Sequence, residues 1–266
     1  MKLAYALAYH VGKIRGNQED NFYCDGYYRK NLEDASGTLS GTASNQQFLA
    51  AVCDGMGGAD LGEVASLTAV QHISPCALHD VPKKAAADLQ KANAAICKMI
   101  ARNNGRPMGS TATMLYIDGP SAVTCNLGDS RIYLYRNSSL EQLTTDHSRA
   151  QRLVDLGLFS PAEASMHPGK HELTQHLGIP ESEMILEPTI SDPLSLHPGD
   201  VFLLCSDGLT DMMNDDAIAD TLASFGSAEK KAEALLKQAL NAGGRDNVTI
   251  LVVQVSKPWY KRLLRR

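Results

Sequence analysis

Apolar positions in this chain follow two rhythms. One is the short, nearly continuous run between turn residues: Leu3–Val11, Phe22–Asp25, Phe48–Cys53, Ala112–Ile117, Ala122–Leu127, Arg131–Arg136, Val201–Cys205 and Val248–Val255. Runs of this length, several rich in Val, Ile, Leu and Tyr, predict strands. The other is a helical pattern over Gly62–Ile73, Lys83–Arg102 and Ala228–Asn241; the second stops near Gly105 and the third at Gly243–Gly244. Strands and helices come in blocks rather than in strict alternation. That order predicts an α+β fold with mainly antiparallel sheets. No repeat of solenoid period and no Pro-rich or Gly/Ser-rich linker divides the chain.

Two stretches break these rhythms. Tyr28–Gln47 is polar and carries Gly, Ser, Thr and Asn, which predicts a long hairpin loop. His147–Pro193 reads as two short helices with breaks at Gly157, Pro168–Gly169 and Gly178–Pro180. Ser160–Pro161 gives a cap followed by proline at the first helical position. A small helical insertion is expected there.

Composition narrows the function classes. With 266 residues and 44% hydrophobic content the chain can bury a sizeable core, which excludes disorder as its main state. A net charge of −5 argues against a nucleic-acid partner, since phosphate-backbone binding needs clustered Lys and Arg. No apolar run approaches the roughly 18 residues of a membrane span. Met1–Ala8 lacks the longer apolar stretch of a secretory signal and reads as a strand. The six cysteines form no Cys-x-x-Cys pair, and three of them lie in apolar runs, so buried free thiols in a reducing cytoplasm are expected. His171-Glu-x-x-x-His176 is one residue too long for the helical zinc motif and would point its imidazoles to different faces.

The candidate chemistry sits beside the strands. Asp54, Asp129 and Asp207 follow apolar runs, and Asp246 opens one. In an antiparallel sheet the start of one strand lies beside the end of its neighbour, so all four could collect at one rim. Crowded carboxylates raise each other's pKa unless a cation neutralises them. Oxygen ligands without His or Cys favour Mg²⁺, Mn²⁺ or Ca²⁺ over zinc. Asp-Gly is also ordinary turn chemistry, so each pair taken singly reads as a turn. The glycine-rich segment Asp54–Gly62 lacks the Gly-Lys-Ser/Thr ending of a phosphate loop. Its better use is close backbone approach, with the Gly55 carbonyl reaching a metal.

Arg15-Gly-Asn-Gln-Glu-Asp20, Asp54-Gly-Met-Gly-Gly58, Gly109-Ser-Thr111, Gly128-Asp-Ser-Arg131, Asp146-His-Ser148, Ser206-Asp-Gly208 and Gly244-Arg-Asp-Asn247 occur in that order. This series resembles the metal-dependent type 2C protein serine/threonine phosphatase family in its bacterial form, from about Tyr9 to Val255. The resemblance implies a sandwich of two antiparallel β-sheets flanked by helices, with a helical flap at about 148–193, all within a catalytic domain of residues 1–256. It implies Mg²⁺ or Mn²⁺ as cofactor, two ions tightly held and a third more weakly. Asp54 would bridge the first pair, completed by the Gly55 carbonyl, Asp207 and Asp246. Glu19 and Asp20 would act through water, Asp129 with Asp207 would hold the third ion, and Arg15 would grip the substrate phosphate. Phosphorylated proteins are the implied substrates and a Ser/Thr protein kinase the implied partner; a monomer is expected.

Two features depart from that pattern. Many eukaryotic relatives have His after the Asp-Gly pair, where this chain has Met56, which cannot donate a proton to a leaving alkoxide. His147 reads as a loop-ordering residue rather than a substitute. The tail 257–266 is basic and could touch anionic lipid, although a solvated end is the plainer reading. The rival functions are a non-catalytic phosphoprotein-binding module, which lost metal acids would favour, and a phosphatase of small metabolites.

Overall fold

The computed structural model describes residues 1–57 and 61–256; residues 58–60 of the glycine-rich segment and the basic tail 257–266 lie outside the described residues. The chain opens with β1 (Lys2–His10), β2 (Asn21–Cys24), β3 (Ser36–Ser44), β4 (Phe48–Cys53) and β5 (Gly55–Gly57), then α1 (Gly62–His72) and α2 (Val81–Arg102). β6 (Met108–Ser110), β7 (Ala112–Asp118), β8 (Ser121–Leu127), β9 (Arg131–Arg136) and β10 (Ser139–Gln142) follow. Segment 148–193 carries α3 (Arg149–Asp155), α4 (Pro161–Ser165), a 3-10 turn at Pro168–His171 and β11 (Thr189–Ile190). After it come β12 (Leu194–Ser195), β13 (Val201–Cys205), α5 (Asp207–Thr210), α6 (Asp215–Ala223), α7 (Ala228–Asn241) and β14 (Val248–Val255).

One sheet has the order β10-β9-β13-β14-β1-β3, and the other β11-β8-β7-β4-β2 with β12 also on β8. Every pairing in them is antiparallel. The alternation along β4 explains the layering. Phe48, Ala50 and Val52 pack between the sheets, while Leu49, Ala51 and Cys53 pack with Ala65 of α1 and Leu89 of α2. β14 repeats the pattern: Leu251 and Val253 face the other sheet, and Ile250 and Val252 meet Leu235 and Ala239 of α7. Both faces of each central strand are covered, so the strands read as unbroken apolar runs instead of alternating ones. The result is the expected sandwich of two antiparallel sheets between helical layers.

The stretch expected as a long hairpin loop differs. Its second half carries β3, a nine-residue edge strand beside β1. Its inner positions Gly37 and Gly41 stand opposite Tyr9 and Tyr5. A Cβ there would come within 2.7 Å of the Tyr9 hydroxyl and 2.6 Å of the Tyr5 hydroxyl. The tyrosines of β1 therefore cover the glycines of β3, and the strand gains its apolar contact from its neighbour. Hydropathy along β3 alone carries no trace of this. In segment 148–193 the expected cap is present: Ser160 and Glu163 form a reciprocal capping box with Pro161 at the first helical position. Among the described residues no helix is long and apolar enough to cross a membrane.

Candidate metal centre

Strand register assembles the acids. Cys205, the last residue of β13, pairs with Ile250 near the start of β14, which puts Asp207 and Asp246 at one end of their sheet. Asp54 follows β4 and Asp129 follows β8 in the other sheet. Asp54, Gly55, Asp129, Asp207 and Asp246 line one cleft of about 560 Å³, together with Arg15, Glu19, Met56 and Thr111. Asp20 does not line it. It is 1% exposed behind the rim, where the Ser206 hydroxyl donates to its Oδ2 at 2.7 Å. Its Oδ1 has no hydrogen-bond partner among the described residues.

Buried polar groups hold these acids in place. The Asp54 N–H donates to Thr111 Oγ1 at 2.8 Å, and the Thr111 N–H returns a bond to the Asp54 carbonyl at 2.9 Å. Asn247 accepts from the Glu19 N–H at 2.6 Å and donates to the Val11 and Asn17 carbonyls at 2.9 and 2.8 Å. It thereby ties the start of β14 to the Arg15–Asp20 stretch. Arg29, 3% exposed, spends its guanidinium on the carbonyls of Gln18, Asp20, Asn31 and Leu32. Gly55 has no room for a side chain, since a Cβ would collide with the Gly62 and Glu19 carbonyl oxygens. Thr111 and Asn247 belong to the quoted motifs, but their roles are visible only in three dimensions. Nothing in the sequence marks Arg29.

The electrostatics follow from this crowding. Burial, then repulsion from Asp20, Asp207, Asp129 and Asp246, lifts Asp54 well above the usual carboxylate range. Burial lifts Asp129 to about 8, helped by Asp207 and Asp146. It lifts Asp20 and Glu19 to about 7 each. A rim that concentrates carboxyls away from water, with one buried carboxyl oxygen unpartnered, fits hard divalent cations. Arg15 stands at the mouth, 53% exposed in its side chain, and donates to Asp246 Oδ2 at 2.7 Å.

A side chain not assigned from the sequence completes the cleft. His171 places Nδ1 3.2 Å from Asp207 Oδ2 and Nε2 3.2 Å from Asp211 Oδ2. Hydrogen bonds to Asp207 and Asp211 push its pKa up to about 10. Lys170 donates to Asp211 Oδ1 at 2.9 Å. His147 instead orders a loop: its Nδ1 accepts from the Gly128 N–H at 3.2 Å and its Nε2 lies 2.8 Å from Thr189 Oγ1.

Comparison with known proteins agrees with the motif series and the fold. A family model described as Protein phosphatase 2C matches residues 29–242. The protein phosphatase PhpP of Streptococcus pneumoniae is 34% identical over 213 residues, which span 77% of this chain and 85% of PhpP. The solved serine/threonine phosphatase of S. agalactiae superposes with a TM-score of 0.81 at 27% identity, covering 96% of this chain and 100% of that one. The catalytic domain of the phosphatase PstP, solved in complex with two manganese ions, gives a TM-score of 0.76 at 30% identity over 97% of this chain and 100% of that one. With its acids gathered at the rim of a two-sheet sandwich, the chain belongs to the protein phosphatase 2C family of metal-dependent serine/threonine protein phosphatases, in its bacterial form.

Proposed function

We propose that two divalent ions, Mg²⁺ or Mn²⁺, are held at the rim by Asp54, the Gly55 carbonyl, Asp207 and Asp246, with Asp54 between them. Asp129 and Asp207 hold a third ion more weakly, and Glu19 and Asp20 act through bound water. The observation that carries this reading is the convergence of four strand-end carboxylates on one cleft. The position of Asp20 behind the rim suits an indirect role. When bound, such ions lower the pKa of water toward neutrality and fix it for in-line attack on phosphorus.

The chain's own groups do the rest. Arg15 exchanges Asp246 for two phosphate oxygens, which its planar fork matches and a Lys would not. Met56 lines the cleft but has no proton to give; water held on the Asp129 side would supply the proton to the leaving alkoxide. All the acids required for turnover are present, which disfavours a non-catalytic binding module. Residues 1–256 form one catalytic unit with 148–193 as its flap. We read it as a cytoplasmic monomer that reverses a Ser/Thr protein kinase.

Phosphopeptide hydrolysis with and without Mn²⁺ tests the assignment. Asp54→Asn removes the charge between the ions and is expected to cost at least about a hundredfold in turnover with the fold intact. Wild-type turnover in a folded Asp54→Asn protein rules out the bridging role. Arg15→Ala is expected to raise KM, with Arg15→Lys a partial rescue; unchanged KM and kcat remove Arg15 from the phosphate site.

A further inference from the structure

His171 lies in the 3-10 turn Pro168–His171 of segment 148–193, away from the strand ends that supply the acids. We propose that His171 is a ligand of the third, weaker ion through Nδ1, and that Asp211 is the carboxylate that orients it. The proposal rests on the reading of Asp129 and Asp207 given above.

The geometry has three parts. One ligand atom each from Asp129, His171 and Asp207 lies within 4.8 Å of the others. His171 Nδ1 and Asp207 Oδ2 are 3.2 Å apart. Two donors bound to one ion at about 2.1 Å and at a right angle stand about 3 Å apart, so little movement is needed. The second nitrogen is already committed: Nε2 lies 3.2 Å from Asp211 Oδ2. An Nε2–H donated to a carboxylate selects the tautomer with a free Nδ1 lone pair and fixes the ring, an arrangement common to metal-bound imidazoles. Lys170 holds the other oxygen of Asp211. The Asp211 N–H donates to the Asp207 carbonyl at 2.8 Å, so ligand and orienting carboxylate sit one helical turn apart.

The donor set has a chemical consequence. The tight pair uses oxygen alone, whereas the third site would hold one imidazole nitrogen. Imidazole suits transition metals, while Mg²⁺ prefers oxygen and water. The weak site should therefore prefer Mn²⁺ over Mg²⁺. The opposite arrangement is a protonated His171 that acts as a resident cation and competes with the ion. The two make opposite predictions for removal of the ring.

The test is calorimetric titration of the whole protein with Mn²⁺ and with Mg²⁺, alongside pulsed electron paramagnetic resonance of the Mn²⁺ form. His171 is the one imidazole lining the cleft among the described residues, so nitrogen coupling at Mn²⁺ reports on it. Wild type should show a weak third event and a histidine nitrogen coupling. His171→Ala should weaken that event for Mn²⁺ about tenfold, change it little for Mg²⁺, leave the tight pair intact and abolish the coupling. Asp211→Asn should weaken the event while the coupling survives. His171→Gln keeps the bulk and supplies oxygen; if His171→Ala disturbs folding, it should still lose the coupling. An unchanged or tighter third event in His171→Ala, or three bound Mn²⁺ without nitrogen coupling, overturns the proposal alone. A wild type that binds only two ions, or a third event that persists in Asp129→Ala, overturns the underlying reading as well.

Discussion

The strand-end rim and segment 148–193 meet at one cleft but are held there differently. The rim is fixed from behind by buried polar groups such as Thr111 and Asn247, 1% and 5% exposed, and by the strand register of the two six-stranded sheets. The segment leaves Leu156, Leu158, Met166 and Ile185 between 64% and 85% exposed. Leu177 is buried with the α1 and α2 core, Leu186 and Ile190 pack against it, and β11 pairs with β8; the other ties of the segment are polar. Ser110 and Leu177 exchange backbone bonds at 3.2 and 2.9 Å, and Asn93 bonds the backbone at Gly178 and Ile179. Fewer buried apolar contacts than in the central strands mean a lower free energy of local opening. The comparison teaches that the acids are preorganised, whereas His171 arrives on a part of the chain that can leave.

The rim should therefore be intolerant of change where its backbone packs. Gly55→Ala is the severest test, because the new Cβ meets two backbone carbonyls, and neither Gly62 nor Glu19 can yield as a flexible side chain would. Overpacking of this kind costs about 3 kcal/mol or more and should displace Glu19 with the Gly55 carbonyl. The expected outcome is a lower melting temperature and loss of both tight ions by calorimetry. A Gly55→Ala protein with full metal stoichiometry would show that the rim is as adaptable as the flap.

The acids make a second distinction through pH. Asp20 and Asp129 titrate near about 7 and 8 in the folded protein, against about 4 for an unfolded Asp. Between these values the native state binds more protons than the unfolded state, so stability falls as pH rises. The contribution is full below pH ~4 and lost as pH climbs through 7 to 8. Melting of the chelator-treated protein should decline across that window. Mn²⁺ competes with the same protons, so the melting temperature it restores should be larger at pH 8 than at pH 6. An equal Mn²⁺ effect at both values would mean that the ions do not displace protons from these carboxyls.

Legibility in the sequence divides along the same line. Phe48–Cys53 and Val248–Val255 announce themselves because both faces of those strands are covered, and antiparallel pairing then carries Asp54 and Asp246 to a common rim without further information. β3 was hidden because its packing belongs to Tyr5 and Tyr9 of another strand. Arg29 was hidden because its bonds go to backbone carbonyls, which leave no mark in residue identity. In the sequence the one motif that includes His171 pairs it with His176, five residues on. Its partners Asp207 and Asp211 lie on α5 and at its end, and no sequence spacing links a 3-10 turn to that helix.

The smallest expected effect marks the boundary between the two regions. Ser160 caps α4 by accepting from the Glu163 N–H, and Glu163 Oε2 in turn accepts from the Ser160 N–H at 2.7 Å. Ser160→Ala removes the first of these bonds and the bond the hydroxyl donates to Glu163 Oε2, at a cost of about 1 kcal/mol to the helix. If the segment opens independently of the sandwich, that cost appears only locally. Amide exchange should quicken by about fivefold across α4 and its neighbour α3, while the melting temperature and the exchange of β4 and β14 stay unchanged. The tight ions should bind as before, since the ligands proposed for them come from strand ends and from α5. A matching loss of protection in β4 would show that segment and sandwich unfold as one unit, and the contrast between a fixed rim and a separable flap would then fail.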